Sequence, residues 1–171
     1  MQYASVVAIV EELNAAGARY LIVGGLAVAA HGHVRFTADV DLVLEMSSDN
    51  LERALRVLDG LGYKPRAPVP IRDYADPAKR EEWIRDKGLT VFSLWSAVHV
   101  ATEVDLFVAQ PFEDFSAAYA RAARREISTG IAAPFASLDD LVELKRAAGR
   151  PQDLADIERL LAIRAGGDSH E

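Results

Sequence analysis

The chain predicts an α/β (or α+β) fold: a small mixed β-sheet flanked by helices and followed by a C-terminal helical pair. Three observations carry this. Hydrophobic periodicity changes along the chain in the order helix, strand, helix, strand, helix, strands, helices. The 171 residues are 50% hydrophobic and 26% charged, enough for one core without covalent staples. Finally, Gly24-Gly25 follows one apolar run, and two carboxylates one residue apart, Asp39 and Asp41, head another, Val40–Leu44.

Val6, Val7, Val10, Leu13 and Ala16 recur at near-helical spacing, so residues 4–16 form an amphipathic helix that Gly17 ends. Tyr20–Val23 is a short buried strand. Gly24-Gly25 makes a turn, and Leu26–His31 is a small alanine-rich helix closed by Gly32. After the strand Val40–Leu44, the residues Ser47, Ser48 and Asp49 offer caps for a helix reaching about Leu61, with Leu51, Leu55, Leu58 and Leu61 on one face. The proline-rich stretch Tyr63–Pro77 is a loop or irregular strand, and Pro77–Lys87 one polar helix. Leu89–Trp95 and Val104–Val108 are strands, with His99 and Glu103 in or near their connection. Phe112–Ala123 is helical. Arg125–Ser128 and Ile131–Ala133, split by Thr129-Gly130, form a hairpin. Ser137 caps a helix to about Ala148, Gly149-Arg150-Pro151 breaks it, and Asp153–Ala165 is the last helix. The expected organisation is a core over 1–136, a helical element over 137–165 packed on it, and a flexible tail over 166–171.

Zero cysteines exclude disulfides and thiolate metal sites and suit a reducing, cytoplasmic setting. No secretory leader is visible, and no apolar run approaches the ~20 residues of a membrane span, so no membrane partner is expected. A net charge of −7 is not the balance of a protein that coats nucleic acid. Basic residues do cluster locally, at Arg121, Arg124 and Arg125 and at Lys145, Arg146 and Arg150.

Alternate residues of a strand share a face, so Asp39 and Asp41 point the same way. Like charges at that spacing repel, and one resists ionisation unless a cation stands between them. Asp105 heads another apolar run and would complete a three-acid site if its strand lay beside that of Asp39 and Asp41. An oxygen-only set of this kind suits Mg²⁺, which takes substrate phosphates as further ligands. Two such ions can activate an attacking hydroxyl and stabilise leaving pyrophosphate. Gly24 and Gly25 complement this, because residues without Cβ let backbone N–H groups approach a phosphate at the start of a helix.

Taken together, Tyr20-Leu-Ile-Val-Gly-Gly25 and Arg35-x-Thr37-x-Asp39-x-Asp41, thirteen residues apart between Gly25 and Asp39, resemble the polymerase-β-type nucleotidyltransferases, and in particular the minimal AbiEii-like/MNT group. Asp105 matches the later strand carboxylate of that family. Leu138–Lys145 followed by Arg150-Pro-Gln-Asp153-Leu-Ala-Asp156 resembles its helical C-terminal element. The resemblance implies transfer of an NMP from an NTP to an acceptor hydroxyl on an RNA 3′ end, a protein or a small molecule. It implies Mg²⁺ or Mn²⁺ held by Asp39, Asp41 and Asp105, with Asp105 also a base. Gly24, Gly25, Arg35, Thr37 and Lys145 are then the nucleotide-binding residues. Some members are toxins of toxin–antitoxin pairs, so an antitoxin-like partner or a homodimer is implied as well. The alternative on the same fold is a non-catalytic protein that binds a nucleotide or a partner, as an antitoxin or scaffold.

Each candidate also has a plainer reading. Asp39 and Asp41 suit a solvated loop–strand junction, Gly24-Gly25 a tight turn, and Asp105 an arginine partner. Arg35 and Thr37 suit a surface loop, Lys145 a solvated helix face, and Asp153 a helix cap. His31 reads as a structural residue near a helix end, while His99 and His170 have no partners. Trp83 and Trp95 suit a core or a partner contact. Neither Gly-x-Ser-x-Gly nor a Walker A pattern is present.

Overall fold

The computed structural model describes residues 1–167. Seven strands form one mixed sheet: β1 (Tyr20–Ile22), β2 (Asp39–Leu44), β3 (Tyr63–Pro65), β4 (Val91–Ser96), β5 (Glu103–Phe107), β6 (Ala123–Ser128) and β7 (Ile131–Phe135). Their spatial order is β3-β4-β5-β2-β1-β7-β6. β2 pairs in parallel with β5 and β1 with β7, while every other pairing is antiparallel. The helices are α1 (Tyr3–Ala15), α2 (Gly24–Ala30), α3 (Ser48–Gly60), α4 (Pro77–Lys87), α5 (Phe115–Ala120), α6 (Leu138–Ala148) and α7 (Pro151–Gly167). The mixed α/β class and the closing helical pair match expectation.

Strand alternation divides the side chains between two faces. Val40, Leu42 and Leu44 of β2, Val104 and Leu106 of β5, and Phe92 and Leu94 of β4 enter the main core. There they meet Val6, Ile9, Val10 and Leu13 of α1 and Leu51, Ala54, Leu55 and Leu58 of α3, both at helical spacing. On the opposite face, Leu21 and Val43 pack with Phe112, Phe115 and Ala118 in a smaller cluster at the α5 end. The same face also carries Asp39, Asp41 and Asp105, each half-buried. α6 and α7 join the main core through Leu141, Val142, Ile157 and Leu160.

Three elements depart from the sequence reading. In the stretch expected to be a loop or irregular strand, only Tyr63–Pro65 is a strand, β3. It lies at the sheet edge, where Pro65 is tolerated, and the buried Tyr63 hydroxyl donates to the Thr102 carbonyl at 3.0 Å. α5 is shorter than Phe112–Ala123. The Asp114 side chain caps it by accepting from Ala117 N–H, and Ala123 already pairs with Phe135 in the β6–β7 hairpin. α7 runs to Gly167, two residues into the expected tail, while Asp168–Glu171, with His170, lie outside the described residues. Among the described residues no helix is long and apolar enough to cross a membrane.

His31 Nε2 bonds the Ala136 carbonyl at 2.8 Å, a structural role as read. His99, by contrast, has partners: its Nδ1 meets Ser5 Oγ at 3.0 Å and its ring stacks on Tyr63. The sequence hid these because Ser5 is distant in the chain. Trp83 is buried and stacked on Phe92, while Trp95 is substantially exposed. Leu42 is fully buried at the centre of β2, so Leu42→Ala is expected to destabilise the protein by about 2–5 kcal/mol, read from denaturant unfolding.

Candidate active site

The register of β2 against β5 sets Asp41 level with Asp105 and Asp39 level with Glu103. Neighbouring strands lie about 4.8 Å apart, so four carboxylates share one small area of sheet. Arg66 relieves one of them by pairing with Glu103 and leaves Asp105 to its acidic neighbours. Burial pushes Asp41 up to about 6, and the charges of Asp105 and Asp39 add to the rise against the pull of Arg150 and Lys145. Asp39 is raised for the same reasons, burial first and then Asp105 and Glu103.

The glycine pair has a different physical reason from the one expected. Gly24 does not form a separate turn; it opens α2 with a left-handed φ of +63°. A Cβ there would run into the Asp41 carboxylate. At Gly25 a Cβ would stand 2.6 Å from Thr37 Oγ1 and 3.2 Å from an Nη1 of Arg35. The glycines thus make room for the side chains that follow them in the sequence. Their N–H groups, in the first turn of a helix, have no acceptor within it.

A cleft of about 400 Å³ gathers every candidate residue: Gly24, Gly25, Arg35, Thr37, Asp39, Asp41, Asp105 and Lys145. A larger hollow of about 1040 Å³ lies on the other side of α6 and shares Leu144 with the cleft, but it holds none of the three acids. Opposite the acids stands a wall of cations. Lys145 is buried rather than solvated, and its Nζ donates to Asp153 at 3.1 Å and to Asp156 at 2.7 Å. Arg35 meets Asp156 through Nε at 2.9 Å and Nη2 at 3.0 Å. Arg150 Nε donates to Asp153 at 2.6 Å. α7 begins at Pro151, so Asp153 lies within its first turn and not at its start; from there it accepts the Arg150 backbone N–H at 3.3 Å, the reach-back half of a capping box. Burial alone would raise Asp153 and Asp156, but hydrogen bonds from Arg150 and Lys145, and from Lys145, Arg35 and Gln152, hold them below the usual carboxylate range. Of the other basic residues, Arg121 pairs with Asp140 and Arg124 lies over the Tyr119 ring.

Asp156 is the residue that sequence reasoning missed. The signal was present, since Asp153 and Asp156 lie three residues apart on one helix face, but nothing local shows that Arg35 reaches the same carboxylate. Among the described residues no three metal-ligating side chains converge into a ready-made cage. Asp39, Asp41 and Asp105 nevertheless share one face of the sheet. Their all-oxygen chemistry fits a hard divalent cation.

Two outcomes follow from this geometry. Because Asp41 is raised from 3.8 to about 6 in the folded chain, its contribution to stability is full below pH 3.8 and lost as pH rises through 6. Asp41→Asn is therefore expected to raise stability near pH 8 by about 1–3 kcal/mol and to have little effect near pH 4, read from melting curves across pH. Gly24→Ala, strained at its φ and in collision with Asp41, is expected to lower stability by roughly 1–3 kcal/mol in the same measurement.

Comparison with known proteins shows the fold and the family. The chain is similar in fold to ANT(2″)-Ia in complex with adenylyl-2″-tobramycin, with a TM-score of 0.56 and 14% identity over 98% of this chain and 97% of that one. The solution structure of the antibiotic-resistance factor ANT(2″)-Ia gives a TM-score of 0.52 and 15% identity over 98% and 94%. No curated protein matches the chain in sequence. Residues 3–164 match the family described as nucleotidyltransferase of unknown function (DUF6036). With that match spanning nearly the whole chain, and the glycine–aspartate segment resembling the same superfamily, the protein belongs to this nucleotidyltransferase family.

Proposed function

We propose that the chain moves an NMP from an NTP to an acceptor hydroxyl and releases pyrophosphate, with Mg²⁺ or Mn²⁺ required. The observation that carries this reading is the common face of Asp39, Asp41 and Asp105 across β2 and β5, facing cations in one cleft. A divalent ion on these three acids would neutralise phosphate charge and make the acceptor hydroxyl more acidic. The backbone N–H groups of Gly24 and Gly25, in the first turn of α2, would be donors to the β- and γ-phosphates. Arg35, Thr37 and Lys145 line the same cleft and give the triphosphate its donors. The acceptor oxygen attacks the α-phosphorus, the bond to the β-phosphate oxygen breaks, and the hydroxyl proton passes to Asp105.

The acceptor tried first is a hydroxylated small molecule, since the similar fold of ANT(2″)-Ia is described with adenylylated tobramycin. An RNA 3′ end and a protein side chain are the other acceptor classes. A toxin role with an antitoxin-like partner extends the same chemistry. The test is incubation with α-labelled NTPs, Mg²⁺ or Mn²⁺ and these acceptors, with pyrophosphate release as the readout. Asp39→Ala and Asp41→Ala are expected to reduce transfer by about a hundredfold or more, the scale on which one lost charge-stabilising group acts. Metal-dependent NTP binding without turnover on any acceptor would favour the non-catalytic nucleotide-binding alternative. Unchanged transfer in both variants would place the chemistry elsewhere.

A further inference from the structure

The most heavily bonded carboxylate at the cleft is not one of the three strand acids but Asp156. It has no exposed surface and sits in the first half of α7. Groups from three chain segments converge on it. Arg35, from the loop before β2, donates through Nε at 2.9 Å and Nη2 at 3.0 Å. Lys145 Nζ, from α6, donates at 2.7 Å, and Gln152 Nε2 at 3.1 Å. His33 Nε2 stands 3.9 Å away.

Packing alone does not call for this arrangement. α6 and α7 already enter the main core through Leu141, Val142, Ile157 and Leu160. A buried ion pair is weak evidence for stability, because desolvation offsets much of its attraction. The orientation it imposes is more telling. Asp156 takes the Nε–Nη2 edge of the Arg35 guanidinium and leaves Nη1 beside Gly25, where it donates to the Phe36 carbonyl at 2.9 Å. Lys145 uses two of its three donors on Asp153 and Asp156. Arg35 and Lys145 both line the cleft.

We propose that Asp156 is a positioning residue of the nucleotide cradle, holding Arg35, from the loop before β2, and Lys145, from α6, where the phosphates of an NTP meet them. The inference rests on the nucleotidyl-transfer reading. Asp156 touches no substrate. It fixes two long side chains before the ligand arrives, so less side-chain freedom is lost on binding. It also ties the loop before β2 to α7, which makes the C-terminal helical pair part of the site.

The test titrates the wild-type chain, Asp156→Asn, Arg35→Ala and the double variant with a fluorescent ATP analogue and Mg²⁺. Asp156→Asn is expected to weaken binding about tenfold and to raise KM for NTP with little change in kcat. Asp156→Glu is expected to restore part of the loss. The double variant should lose less than the product of the two single losses. Binding by Asp156→Asn within twofold of wild type, or losses that multiply, overturns the proposal. A second measurement needs no variant: the Nε–H of Arg35 should be protected from exchange in the wild-type chain and stay protected when the analogue is bound. Loss of protection on binding means that Arg35 leaves Asp156 to reach the ligand, which also overturns the proposal. A wild-type chain that binds no NTP under any condition removes the nucleotidyl-transfer reading itself and this inference with it, an outcome distinct from wild-type binding that Asp156→Asn leaves unchanged.

Discussion

The parallel pairing of β2 with β5 is the constraint on which the rest of the site depends. Val40 and Leu42 pair with Val104 and Leu106, and all four enter the core. Their opposite-face partners are then Asp39 with Glu103 and Asp41 with Asp105. A slip of one residue would put carboxylates into the core and leucines into the cleft, so hydrophobic burial holds this register strongly. The acids are thus kept close by packing on the far side of the sheet, against their own repulsion. Burial first, and then the charge of the neighbouring acids, raises the pKa of Asp39 and of Asp41.

Around this acidic face the remaining parts have complementary tasks. Phe112 and, in α5, Phe115 and Ala118 cover one end of the face. Gly24 opens α2 without a Cβ, which lets Asp41 lie close against it. The opposite wall carries Arg35, Lys145 and Arg150, partly balanced by Asp153 and Asp156. One half of the cleft favours a cation and the other an anion. A metal-bound polyphosphate combines the two, which is the physical sense of the proposed nucleotidyl transfer.

Much of the fold was legible because its signals are local. The 3.6-residue periodicity of α1 and α3, the capping Ser137 and the left-handed glycine ending α6 depend on a few adjacent residues. What was illegible depended on distant partners. β3 exists because β4 offers an edge, and α5 is cut short because Ala123 belongs to a hairpin. His99 is held by Ser5. Lys145 reads as a solvated helix lysine until the fold of α7 over α6 buries it between two carboxylates.

By itself, the sequence determined the alternation that gives Asp39 and Asp41 a common face, and it named the residues of the glycine–aspartate segment. Those relations span a few residues and follow from strand geometry. Only the tertiary structure decided that Asp105 lies level with Asp41, that Gly24 exists to seat Asp41, and that Asp156 joins Arg35 to Lys145. Each of those relations depends on elements brought together by the fold, Arg35 and Asp156 across 121 residues. Each partner is chosen by how the whole core packs, and no local pattern records that choice.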